Sequence, residues 1–204
     1  MDENALLALC LVSGAGAGFL LERFAARLSE GMPGLGPRTV VCSLATALLC
    51  PFLFVTFDTV AELAVAAALL CVLLVAALTD LQTRRIPNAL SGGGLLLIFA
   101  LAALFEPSSV PKRLFYALIV FTFLLAAALL RPGGIGLGDV KLVAVIGAAL
   151  GAASIGAIGL GLLAGAAAGA SIAICHGWAH ARSATLPLAP FLGLSSLAIL
   201  LLSG

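Results

Sequence analysis

Apolar runs about as long as a lipid bilayer is thick follow one another along this chain, and that succession leaves few folds open. A hydrocarbon core of about 30 Å asks for about 20 helical residues. Eight segments approach that length, at roughly 4–28, 39–57, 60–79, 89–106, 113–130, 140–151, 153–175 and 187–203. The breaks between them are short, and the longest polar one, SEGMPGLGPR at 29–38, carries the Gly and Pro of a turn. Backbone polar groups in lipid must be satisfied within the chain, so such runs fold as helices. The alternation of a membrane β-barrel is absent. Composition points the same way: 63% of residues are hydrophobic, and 10 Lys or Arg with 9 Asp or Glu are too few to coat a soluble globule of 204 residues. A disulfide-built secreted mini-domain, a disordered chain and a nucleic-acid binder with a basic face are thereby excluded. The expected fold is all-α: a polytopic membrane helix bundle of about eight transmembrane or re-entrant helices, forming one domain over 1–204.

One stretch, 140–175, is too long for one crossing and slightly short for two. A break near Gly151 leaves a first helix of about 12 residues, a length that also suits a re-entrant or protein-buried segment. Charge orients the bundle. With the N-terminus outside and eight crossings, Arg23, Arg27, Arg38, Arg84, Arg85, Arg131, Lys141 and Arg182 fall inside, and only Lys112 and Arg113 outside. That is a clear positive-inside bias. The acidic opening Met1-Asp2-Glu3-Asn4 is unlike a signal peptide, so the first run reads as a retained helix.

Small residues at four-residue spacing, Gly147 with Gly151 and then Gly161, Gly165 and Gly169, read as packing seams between helices. Pro51 and Pro190 fall inside spans and are expected to kink them. The five cysteines lie in or beside apolar runs without CxxC spacing and read as small buried residues. His176 and His180 are four apart but lack a third ligand. With Trp178 between them they read as an interfacial loop, and no metal is expected.

Two acids have an elaborate setting on the inner face. Asp80 ends the third span, in TDLQTRRIPN (79–88), and Asp139 starts the sixth, in GGIGLGDVKL (133–142). Helix parity alone puts both at one depth on one side. Two carboxyls sharing a site cannot both ionise cheaply, so one retains a proton. The charged one can then draw a proton from attacking water while the neutral one polarises a peptide carbonyl. Gly134, Gly136 and Gly138 permit a tight backbone and close approach by a substrate chain. The plainer reading of each Asp is a helix cap, favoured for Asp139 by the dipole of its own helix. Asn88, after Ile86-Pro87, reads as the cap of the fourth span. Arg84 and Arg85 read as headgroup anchors, and Lys141 as an anchor or as a charge tuning Asp139.

These motifs resemble the type IV prepilin peptidases, polytopic aspartic proteases of the bacterial inner membrane. The likeness rests on Asp80 followed by Ile86-Pro87-Asn88, on Gly136-Leu137-Gly138-Asp139-Val140-Lys141-Leu142 (the GxGD signature), and on the late Leu186-Pro187-Leu188-Ala189-Pro190-Phe191-Leu192. The segment 14–23 vaguely resembles the opening helix of longer members. The resemblance implies catalytic aspartates at Asp80 and Asp139, with Gly136, Gly138, Lys141, Pro87 and Asn88 shaping the site. It implies removal of a basic leader, at the cytoplasmic face, from a prepilin or pseudopilin whose mature part opens with an apolar helix. Longer members carry an insertion after the first span, often with zinc-binding CxxC pairs, and some methylate the new N-terminus with S-adenosylmethionine. Here that place holds only loop 29–38, without Cys. The reading is therefore the peptidase alone, with no cofactor, no zinc and no nucleic-acid partner. A small transporter and a catalytically silent assembly protein of a pilus or secretion system are the competing readings. Against them stand acids at helix ends rather than mid-span, and two intact acidic motifs.

Overall fold

The computed structural model describes residues 3–28, 37–130, 135–176 and 187–203. Among these are eight α-helices: α1 (Glu3–Leu28), α2 (Pro37–Thr56), α3 (Val60–Thr83), α4 (Asn88–Phe105), α5 (Val110–Leu130), α6 (Leu137–Leu150), α7 (Ala153–His176) and α8 (Ala189–Ser203). A single 3-10 turn, Pro107–Ser109, joins α4 to α5. The apolar runs therefore fold as expected, with shifted ends. α3 continues four residues past the expected 79, so Asp80 lies inside its last turn. α5 starts at Val110, with Pro111 in the first turn, where its missing N–H costs no helical bond.

One expectation about proline needs correction, and the other residue lies where it was expected, inside its span. α8 begins at Ala189, so Pro190 also sits in a first turn and does not interrupt a span. α2 runs on through Pro51.

Five stretches, within α2, α3, α4, α7 and the Pro107–Leu130 segment, are long and apolar enough to cross a membrane. Large apolar side chains point away from the protein on several of them: Val55, Leu130 and Ile174 are each more than four-fifths exposed. Apolar surface on that scale does not face water in a soluble monomer. The chain is a multi-pass membrane helix bundle.

At 14 residues, α6 is shorter than those five, and its surroundings explain why that suffices. Val140 and every residue from Leu142 to Ala148 are buried, and only Lys141 interrupts the run. The helix touches α3, α4, α5, α7 and α8. A helix apolar all round is a core helix. It does not fold back at its middle. Its last carbonyls, on Ala148 and Ala149, accept bonds of 3.1 and 2.9 Å from the Arg113 guanidinium in the first turn of α5. A cation there also offsets the negative end of the helix dipole. Gly151 then turns the chain at φ +56°, a conformation that suits glycine.

The small-residue seams are real for Gly147, Gly161 and Gly165. A Cβ on Gly147 would lie 2.6 Å from Val120 Cγ2 and 2.9 Å from Ala117 Cα, so α5 and α6 touch backbone to backbone. Gly161 admits α8 in the same way, with Leu192 Cα at 3.1 Å, and Gly165 receives the Leu188 side chain. Gly151 serves the turn instead. A further seam, Gly14 and Gly18 against Thr46, Ala47 and Cys42, closes α1 onto α2.

Candidate active site

Asp80 is held by three elements. α3 presents it one turn before the helix stops. The stop is made by Arg84, whose left-handed backbone (φ 54°, ψ 33°) returns its N–H to the Asp80 carbonyl. Pro87 then keeps the chain extended into α4. The carboxyl itself is 6% exposed, and Oδ2 accepts the backbone N–H of Ala189 at 3.1 Å. The Leu188 N–H and the charge of Arg84 also act on it. A carboxylate near the C-terminus of its own helix is poorly placed with respect to that dipole, but Asp80 points at the N-terminal end of α8, where the sign is favourable. The cap expected of this residue thus exists across 109 positions of sequence rather than locally.

Asp139 is in the first turn of α6, outside the five long apolar stretches. Its N–H bonds back to the Gly136 carbonyl at 3.1 Å, and its carboxyl accepts the Gly136 N–H, as the third residue of a capping box does. Gly136 must lack a side chain for this: a Cβ there would lie 3.0 Å from Oδ2. Oδ1 is buried with no partner among the described residues. Burial first, and the charge of Asp80 second, push the carboxyl up to about 6 against the pull of the Gly136 N–H. The charge of Asp80 reaches Asp139, so the two acids lie within electrostatic range of each other.

A latch joins the motifs that carry them. A Cβ on Gly138 would come 3.1 Å from Ile86 Cβ, so the turn before Asp139 packs on the loop after Asp80. Lys141 Nζ donates to Asn88 Oδ1 at 2.7 Å. Asn88 is therefore not the cap of α4, as expected from sequence. Pro87 holds the cap position without a side-chain bond, and Asn88 spends its oxygen on α6. Lys141 ties α6 to α4. Arg84 acts on Asp80 rather than serving only as a headgroup anchor.

The backbone donors of Leu188 and Ala189 escaped the sequence reading. Their signal is the pair Pro187 and Pro190, which marks a helix start whose first N–H groups lack helical partners. His180, Trp178, Gly133 and Gly134 lie outside the described residues, and His176 ends α7. Among the described residues no group of three or more His, Cys, Asp or Glu gathers as a metal site.

The model of the type IV leader peptidase family matches residues 67–203, more than half of the chain. The chain belongs to that family. No curated protein and no solved structure matches it. The stretch shared with the leader peptidase family holds Asp80, Asp139, the latch between them and the start of α8. It leaves out α1, α2 and the first residues of α3, including the 14–23 segment with its vague resemblance.

Proposed function

We propose that this protein is a membrane aspartic endopeptidase that removes the basic leader of prepilin or pseudopilin precursors at the cytoplasmic face of a bacterial inner membrane, through Asp80 and Asp139. The observation that carries the reading is the unequal environment of two interacting carboxyls. Asp80 is buried and accepts a backbone N–H from the start of α8. Asp139 has a buried oxygen with no partner and a carboxyl lifted to about 6. Such a pair, sharing one proton, is built for acid–base work.

In this mechanism a water molecule lies between the acids and attacks the scissile carbonyl carbon. Its proton passes to the Asp80 carboxylate as its oxygen bonds to carbon. Asp139 gives its proton to the carbonyl oxygen. The carbon–nitrogen bond then breaks as the amine takes the proton from Asp80, the carbonyl re-forms, and one hydroxyl proton of the intermediate returns to Asp139. Gly136 keeps a side chain away from the Asp139 carboxyl, Gly138 lets the turn before Asp139 pack on Ile86, and the Lys141–Asn88 latch ties α6 to α4. The distribution of Lys and Arg supports a cytoplasmic site, where a basic leader stays while the apolar helix lies in the bilayer. The whole chain acts as one membrane domain, without zinc and without methyl transfer.

Co-expression with a precursor tests this by gel shift. The wild type removes the leader. Asp80→Ala and Asp139→Ala accumulate in the membrane and do not. Retained cleavage by either variant, or topology mapping that puts residues 80 and 139 on opposite sides, ends the proposal.

A further inference from the structure

A cavity of about 550 Å³ opens between α1, α2, α3 and α8. Its α3 wall extends from Ala67 to Ala77, one turn short of Asp80. Its α8 wall starts at Pro190, next to the Ala189 N–H that Asp80 accepts. At 1.5 Å per residue the groove runs about 15 Å along α3, away from the acids and into the bilayer. No charged side chain lines it, and Gly14, Ala17, Ala45, Ala67, Ala77 and Gly193 make much of its wall. Small residues let a neighbouring helix approach closely.

We infer that this groove seats the apolar helix of the substrate, with the N-terminal end of that helix at Asp80. The inference rests on the proposed function. A leader cut just before an apolar helix requires that helix to leave the site along the bilayer normal, and the groove starts one turn from Asp80 and runs along α3. A second cavity, about 400 Å³ between α4, α5 and α6, is less suited. Lys141 and Asn88 line it, and Phe99 and Phe121 fill its wall.

The chain carries its own probes, because Cys50 and Cys71 line the groove from α2 and α3 and neither is in a disulfide. Full-length protein retaining only Cys71, in an Asp139→Asn background that traps substrate, is oxidised in proteoliposomes with precursors bearing one cysteine at successive positions of the apolar helix. Cross-links recurring every three or four positions are expected, and likewise for a chain retaining only Cys50. In the active background, Ala67→Trp, which fills the groove, lowers the cleavage rate at least tenfold at low substrate. Absence of cross-links to both cysteines beside normal wild-type cleavage overturns the docking and leaves the groove to lipid. So do cross-links only to a Ser91→Cys probe in the second cavity, or a folded Ala67→Trp chain that cleaves within twofold of wild type. A wild-type chain that cross-links but never cleaves sinks the proposed reaction instead, and one that does neither sinks both.

Discussion

The α1–α2 pair and the α3–α8 bundle solve the same packing problem with different consequences. Both use glycine to bring helices together: Gly14 and Gly18 in the first, Gly147 and Gly161 in the second. In the first region the close approach joins two helices without polar contacts to the acids, and the pair meets the rest mainly where α1 lies on α3. In the second it sits among polar contacts that hold two acids, the Asp80–Ala189 bond and the Lys141–Asn88 latch. The family match divides the chain along nearly the same line, starting at residue 67. Packing seams can be built from many small residues. A carboxyl pair needs particular donors at particular places.

The largest effect that tests this division is loss of either acid. Asp80→Asn and Asp139→Asn are each expected to lower the cleavage rate by about 10³-fold or more with unchanged membrane levels, read by gel shift. Comparable activity in either variant would place the chemistry elsewhere.

Next comes pH. Asp139 is raised to about 6, so it holds its proton below that pH and loses it above. Cleavage should fall about tenfold per unit as pH rises beyond about 6, and fall again in acid once the pair holds two protons. Removing the like charge with Asp80→Asn should move the midpoint of Asp139 labelling by a carbodiimide, which attacks the protonated acid, to lower pH. An unmoved midpoint would show that the two carboxyls do not interact.

Glycine substitutions sharpen the contrast between the regions. Gly147→Ala forces a Cβ to 2.6 Å from Val120 and 2.9 Å from the α5 backbone, and should cost about 1–3 kcal/mol in detergent unfolding. Gly18→Ala meets the Cys42 carbonyl at 2.6 Å and should loosen α1 from α2 at similar cost, while Asp139 keeps its labelling profile. A changed profile in Gly18→Ala would show that the first region reaches the acids after all.

The smallest effect belongs to the exposed latch. Lys141→Gln or Asn88→Ala should lower cleavage only several-fold, matching about 1 kcal/mol for one hydrogen bond. A loss as large as that of an aspartate would give Lys141 a direct part in the chemistry.

Much of this was legible in the residues. The apolar runs mark the helices, Gly151 marks the break before α7, and the GxGD turn places Asp139 in a first turn. The misread positions share a cause. Asn88 looked like a local cap because a polar residue after Ile-Pro has an obvious nearby use, yet its partner is Lys141, 53 positions away. Pro190 looked like a kink because the start of α8 is hidden in an apolar run. Arg84 has a further part that nothing local shows, since it ends α3 in a left-handed turn beside Asp80.

By itself the sequence determined that the chain is a membrane helix bundle with two acids at helix ends, because hydropathy, helix length and turn chemistry act over a few neighbouring residues. Only the tertiary structure decided that α6 is the buried centre of its half, that α8 offers its first N–H groups to Asp80, and that Gly138 and Lys141 fasten one acidic motif to the other. Those outcomes depend on contacts between residues 50 to 110 positions apart, which only the packed bundle brings together.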